Sequence, residues 1–227
     1  MKNIITGVLL ASLTTLLPAS ANNLKDDEYF TNHSMGCMMM RECTEDVEEV
    51  TTIKDVESYQ GKDHSLIGDE FNNLVKVLNE VGVNVYITPM HYFLIGTKGV
   101  YYTEGNNIFL NSDMLERSST LMSTMRHEGW HTAQDCMAGD IKNRFIAVIF
   151  DEKKIPKYLR RMTEKTYSGS LLHKKSIPWE QEAYWAGYTK GMTQDALKAC
   201  ADGAMWEIYP PTPLTRQFLI DEGYIKE

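Results

Sequence analysis

His127-Glu128-Gly129-Trp130-His131 sets two histidines four residues apart with a glutamate between them. On a helix, that spacing puts both imidazoles on one face, where they can reach a single ion. The glutamate then stands beside the ion, placed to take a proton from water. Zn²⁺ accepts such nitrogen donors in tetrahedral geometry, with a third protein ligand and one position left for water. There it activates the water and polarises a substrate carbonyl. The chain's own His and Glu frequencies give a chance expectation of about 1% for this pattern. The competing reading is a helix with two incidental surface histidines and an exposed glutamate.

A third ligand has to come from elsewhere. Gln134 and Met137 stand three and six residues past His131, where the metzincin pattern requires glycine and histidine. Trp179-Glu180-Gln181-Glu182-Ala183-Tyr184 offers carboxylates instead, with Glu180 placed 49 residues beyond His131. Two residues along a helix is a turn of about 200°, so Glu180 and Glu182 cannot both face one ion. The HExxH sequence with this downstream Glu180-x-x-Ala183 resembles the gluzincin branch of zinc metallopeptidases. The resemblance implies one zinc ion on His127, His131 and Glu180, with Glu182 the rival ligand and Glu128 the general base. It implies a protein or peptide substrate, and a small Ala183 that lets the two helices approach closely. It also implies an extended edge strand before the HExxH helix, where Tyr101 to Asn111 stands. The likeness covers roughly residues 85–200.

Supporting roles are less sharply marked. Asp135, four residues past His131, is a candidate to orient a ligand imidazole, and Gln134 a weaker one. Tyr184, Tyr188 and His173 are candidates to stabilise an oxyanion. His33, Met35, Cys37, Met38, Met39, Met40 and Cys43 could suit Cu(I), or simply form an apolar patch with paired cysteines. The non-catalytic alternative is therefore an exported binding or metal-handling protein on a zincin-like fold. Hydrolysis of another amide, in a cell-wall peptide, is a second enzymatic reading.

The elements that must position these residues follow from periodicity. Phe71, Leu74, Val75, Leu78 and Val81 recur at three and four, predicting a helix over 69–81 that Gly82 ends. Val83, Val85 and Ile87 alternate with polar or aromatic residues up to Pro89, predicting a strand; Tyr92 to Ile95 is a second candidate. Gly99 to Asn111 reads as a hairpin about Gly105-Asn106-Asn107. From Ser118 or Ser119, as cap, a helix should run to about Met137 and stop at Gly139. Further helices are expected near 156–165, 178–190, 193–203 and 213–222, with Pro178 in a first turn. The expected class is α+β and zincin-like: a small N-terminal sheet, then the HExxH helix and a mainly helical C-terminal part.

Composition bounds the rest. With 43% hydrophobic and 24% charged residues, the 227-residue chain is that of an ordinary globular protein. Lys2, the apolar stretch Ile4 to Leu17, Pro18 and Ala19-Ser20-Ala21 predict a signal peptide over residues 1–21. Its apolar core is short for a membrane span, which needs about 20 residues. Residues 22–62 read as an irregular acidic, cysteine-containing segment, and 63–227 as the metallopeptidase domain. Losing Lys2 takes the net charge from −8 to −9, which disfavours nucleic acid as a partner. Secretion or a periplasmic location follows, with no stable membrane span after cleavage. In that setting four cysteines predict two disulfides, Cys37–Cys43 and Cys136–Cys200 being favoured over the crossed pairings.

Overall fold

The computed structural model describes residues 34–167 and 171–226, the side chains of 171–174 excepted. The expected signal peptide over 1–21 and His33 lie outside the described residues. The architecture is α+β, a four-stranded mixed sheet followed by a mainly helical remainder. In chain order the elements are α1 (Met35–Met39), β1 (Glu48–Glu49), α2 (Ile53–Gln60), α3 (Gly68–Glu80), β2 (Asn84–Thr88), β3 (Gly99–Tyr102) and β4 (Asn107–Asn111). The chain continues through α4 (Ser118–Met137), α5 (Lys157–Thr166), α6 (Leu171–Tyr188), α7 (Met192–Ala201), α8 (Met205–Ile208) and α9 (Pro213–Asp221). Among the described residues, no helix is long and apolar enough to cross a membrane.

The sheet order is β1-β2-β4-β3, with β2 parallel to β4 and both outer strands antiparallel to their neighbours. Register puts Val85, Ile108 and Tyr101 in one row and Tyr86, Phe109 and Val100 in the next. Because strand side chains alternate between faces, these rows point to opposite sides. The first row, with Ile87 and Leu110, joins the core shared with the helices. The second packs under Met35, Cys37, Met38, Met39 and Cys43. Both faces are therefore covered, which accounts for strands that carry apolar residues at nearly every position.

The N-terminal segment is accordingly no irregular appendage from Ser34 onward. It supplies α1, the outermost strand β1, and α2, whose start is closed by a capping box between Thr52 and Asp55. Cys37 and Cys43 are disulfide-bonded, and Cys136 at the end of α4 is bonded to Cys200 in α7. The bonded thiols and buried methionines form an apolar layer on the sheet.

Local expectations were corrected at four places. Tyr92 to Ile95 is not a strand: Met90–Tyr92 forms a 3-10 turn whose amide at Met90 is held by Asp113. Of the hairpin, β3 is the outer strand, while Asn107–Asn111 is interior, paired on both sides. The cap of α4 is Arg117, not a serine, because the Ser118 hydroxyl is engaged by His64 Nδ1 at 2.8 Å. Pro178 lies inside α6, which begins at Leu171. A proline removes one ladder bond, and tertiary packing here carries the helix across that loss.

Helix α4 is the axis of the molecule. Of its 20 residues 13 are buried, and from Glu128 to Asp135 it is buried on every side. Helix α6, α7 and strand β3 all pack directly on it. Gly129 lets α7 approach, its missing Cβ being 3.0 Å from Thr193 Cγ2. Arg126 ties α3 to α6, with Nε 2.7 Å from Glu70 Oε1 and Nη1 3.3 Å from the Gly187 carbonyl.

Candidate metal centre

Helices α4 and α6 bring His127, His131 and Glu180 together, with one ligand atom from each lying within 4.8 Å of the others. His127 Nε2 is 3.3 Å from Glu180 Oε2, and His131 Nε2 is 3.8 Å from Glu180 Oε1. His131 and Glu180 are fully buried, while His127 opens onto a cleft. The close approach of the helices depends on Gly187: a Cβ there would sit 2.9 Å from the Ser123 carbonyl. Ala183, one turn earlier, is also fully buried. Gly187 marks a close backbone approach of the two helices.

Hydrogen bonding fixes the state of His131. Gln134 Nε2 lies 3.1 Å from the Trp179 carbonyl, which can only accept, and 2.8 Å from Glu182 Oε2. Its Oε1 therefore faces His131 Nδ1, at 2.8 Å, and takes that proton. The lone pair is left on His131 Nε2, the atom turned towards Glu180. His131 Nε2 and Glu180 Oε1 are both buried without a hydrogen-bond partner. A buried lone pair facing a buried carboxylate oxygen is unfavourable unless a cation or a hydrogen-bond donor lies between them. Two imidazole nitrogens and a carboxylate oxygen are the donor set zinc takes. The residues fit such an ion.

Electrostatics agree with this reading. Burial pushes His131 down to about 4, so it is neutral. Burial also opposes a charge on His127, but its hydrogen bond to Glu180 and the field of Glu128 raise it. Glu180 is held below the usual carboxylate range despite burial, by its hydrogen bond to His127 and the field of His131. A shared proton thus does part of what a metal ion would do there.

Glu128 lies at 3% exposure with Oε2 unpartnered, beside the same cleft. Gly99 of β3 presses on it, a Cβ at that position being only 3.0 Å from Glu128 Cγ. Burial pushes its carboxyl up to about 8, with His127 pulling it down and Glu180 adding to the rise.

Glu182 does not reach the histidines. It faces the loop 145–150, taking the amides of Ile149 and Phe150 at 2.9 and 2.6 Å as well as Gln134 and Trp130. The 200° turn between the two glutamates sends one to the cluster and the other to this buried loop. Asp135 does not touch a ligand either. Its Oδ2 accepts the Tyr101 hydroxyl at 2.8 Å, and Gln134 takes the orienting role instead. Of the tyrosines, Tyr184 and Tyr188 line the cleft, and the Tyr184 ring meets His127 edge-on at 5.0 Å. The side chain of His173 lies outside the described residues. Tyr167 was not anticipated: its hydroxyl donates to Glu180 Oε2 at 2.8 Å. It follows α5 with no periodic or motif signal to mark it.

No known family, curated protein or solved structure matches the chain.

Proposed function

We propose that this protein is an exported, zinc-dependent hydrolase of peptide bonds with a zincin-like arrangement. The observation that carries the reading is the pair of buried, unpartnered atoms, His131 Nε2 and Glu180 Oε1, aimed at one another within the His127/His131/Glu180 cluster. In this reading those three residues hold the ion. The bound zinc supplies Lewis acidity to water and to the scissile carbonyl. Glu128, unpartnered at the cleft floor and ionised once a bound cation offsets the burial that raises its pKa, would take the proton from the attacking water and pass it to the leaving amine. Gln134, held by Glu182, keeps His131 in the ligating tautomer. Tyr184, beside His127, donates to the oxygen on which negative charge develops. An extended substrate lies along the outer strand β3, which borders Glu128 through Gly99. Two disulfides fit an oxidising compartment outside the cytoplasm.

The test is Glu128→Gln assayed on an unfolded protein beside peptidoglycan fragments, with zinc measured in the same preparation. The expected result is about one zinc per chain in both proteins, cleavage by the parent only, and a preference for the unfolded protein. Full activity in the variant would remove Glu128 from its role; zinc retained after His127→Ala would remove the cluster from its own.

A further inference from the structure

We propose that Tyr167 is a positioning residue of the metal centre: it holds Glu180 Oε2, so that Oε1 is the one carboxylate oxygen given to the ion. This rests on the metal reading above and adds how the carboxylate is presented.

The two oxygens of the fully buried Glu180 stand in different surroundings. Oε2 accepts the Tyr167 hydroxyl at 2.8 Å and lies 3.3 Å from His127 Nε2. Oε1 has no hydrogen-bond partner and faces His131 Nε2 at 3.8 Å. Once His127 turns the lone pair of Nε2 to an ion, that atom has no proton left for Oε2. The Tyr167 hydroxyl then still holds Oε2, and Oε1 is the bare oxygen. The difference matters because zinc sites of this kind keep one position for water. With both carboxylate oxygens bound, Glu180 and the two histidines would fill all four positions of a tetrahedral ion.

The surrounding elements deliver this hydroxyl. Tyr167 closes the C-terminal end of α5, its amide donating to the Thr163 carbonyl at 2.9 Å. Helix α5 buries Leu159 and Thr163 and packs on α6, the helix that carries Glu180. Tyr167 is itself buried and lines the inner wall of the cleft with His127 and Glu128. Its ring meets that of Tyr184 edge-on at 6.4 Å. The hydroxyl thus reaches Glu180 from a helix separate from the two that supply the ligands, so the carboxylate is fixed from outside its own helix.

Infrared difference spectra, zinc-loaded minus zinc-free, test this without any turnover. The antisymmetric and symmetric carboxylate stretches lie far apart when one oxygen binds a cation and close together when both do. Glu128→Gln protein is the background, so that Glu128 adds no bands. With Tyr167 present, the separation should be wide. Adding Tyr167→Phe, which keeps the ring, should narrow it and lower zinc affinity about tenfold in competition with a chelator. A narrow separation with Tyr167 in place, which needs no variant at that position, overturns the inference. So does a wide one that persists in Tyr167→Phe. Equal narrowing in Tyr101→Phe, whose hydroxyl bonds Asp135 instead, would assign the effect to general loosening and overturn it as well. Each of these leaves the metal reading standing, whereas a parent protein that binds no zinc overturns both.

Discussion

Single side chains here are set by what their second polar atom does. His131 can offer Nε2 because Nδ1 is spent on Gln134, and Gln134 is oriented because Glu182 and the Trp179 carbonyl take its amide protons. Gln134→Met keeps the bulk and removes the acceptor. It should weaken zinc binding by about 10- to 100-fold, read by competition with a chelator, while His127 and Glu180 stay in place. A variant with unchanged affinity would detach Gln134 from the site. His64 shows the same logic away from the cleft. It is buried between Gln60 and Ser118, and burial lowers its pKa, with Glu57 and Asp63 opposing. The unfolded chain therefore takes up a proton near the ordinary value of about 6.5, while the folded chain holds out to lower pH. Stability should be full above that value and fall as the pH drops through the lowered one. Urea midpoints between pH 4 and 8 should show a steeper acid loss in the parent than in His64→Gln.

Among the elements, the α4–α6 contact is decisive, because it joins residues that are 49 positions apart in sequence. Gly187 is where that contact has no slack. Gly187→Val adds a branched side chain against a backbone carbonyl, so one helix must move. Overpacking of this kind costs about 1–3 kcal/mol. The expected outcome is a lower urea midpoint together with loss of stoichiometric zinc, since Glu180 rides on the displaced helix. A stable variant with full zinc would mean that the helices tolerate separation without losing the cluster. The loop 145–150 supports α6 from the other side. Its amides at Ile149 and Phe150 are satisfied by Glu182, and its carbonyls at Ile146 and Val148 by Trp179 and Thr215. A buried irregular segment survives only with such partners.

For the molecule as a whole, the Cys136–Cys200 bond closes a separation of 64 residues and ties the end of α4 to α7. Loop-closure entropy assigns such a link about 4 kcal/mol. Cys136→Ala with Cys200→Ala should lower unfolding free energy by roughly that amount and leave Cys37–Cys43 intact, measured by urea denaturation without reductant. A loss below about 1 kcal/mol would place the clamp in packing rather than in the bond. Both sheet faces are covered, by the N-terminal layer on one and α4 on the other, and β3 is the outer strand next to the cleft.

The helices expected over 69–81 and from Ser118 or Ser119 to about Met137, the hairpin and the two histidines on one face were legible in the chain, because each follows from local periodicity or fixed spacing; the glutamate brought to them was implied only by the family resemblance. The near-perfect bounds of α4 come from that same local pattern. Local spacing could not say where α6 begins, that Pro178 is carried inside it, or that Gln134 and not Asp135 supports His131. Those outcomes depend on which partners long-range packing brings to a side chain. The split between Glu180 and Glu182 shows the reason most plainly. Helical geometry dictates that they diverge, but the helix's rotation about its own axis, set by Gly187 against Ser123 and by loop 145–150 against Glu182, selects which one meets the histidines.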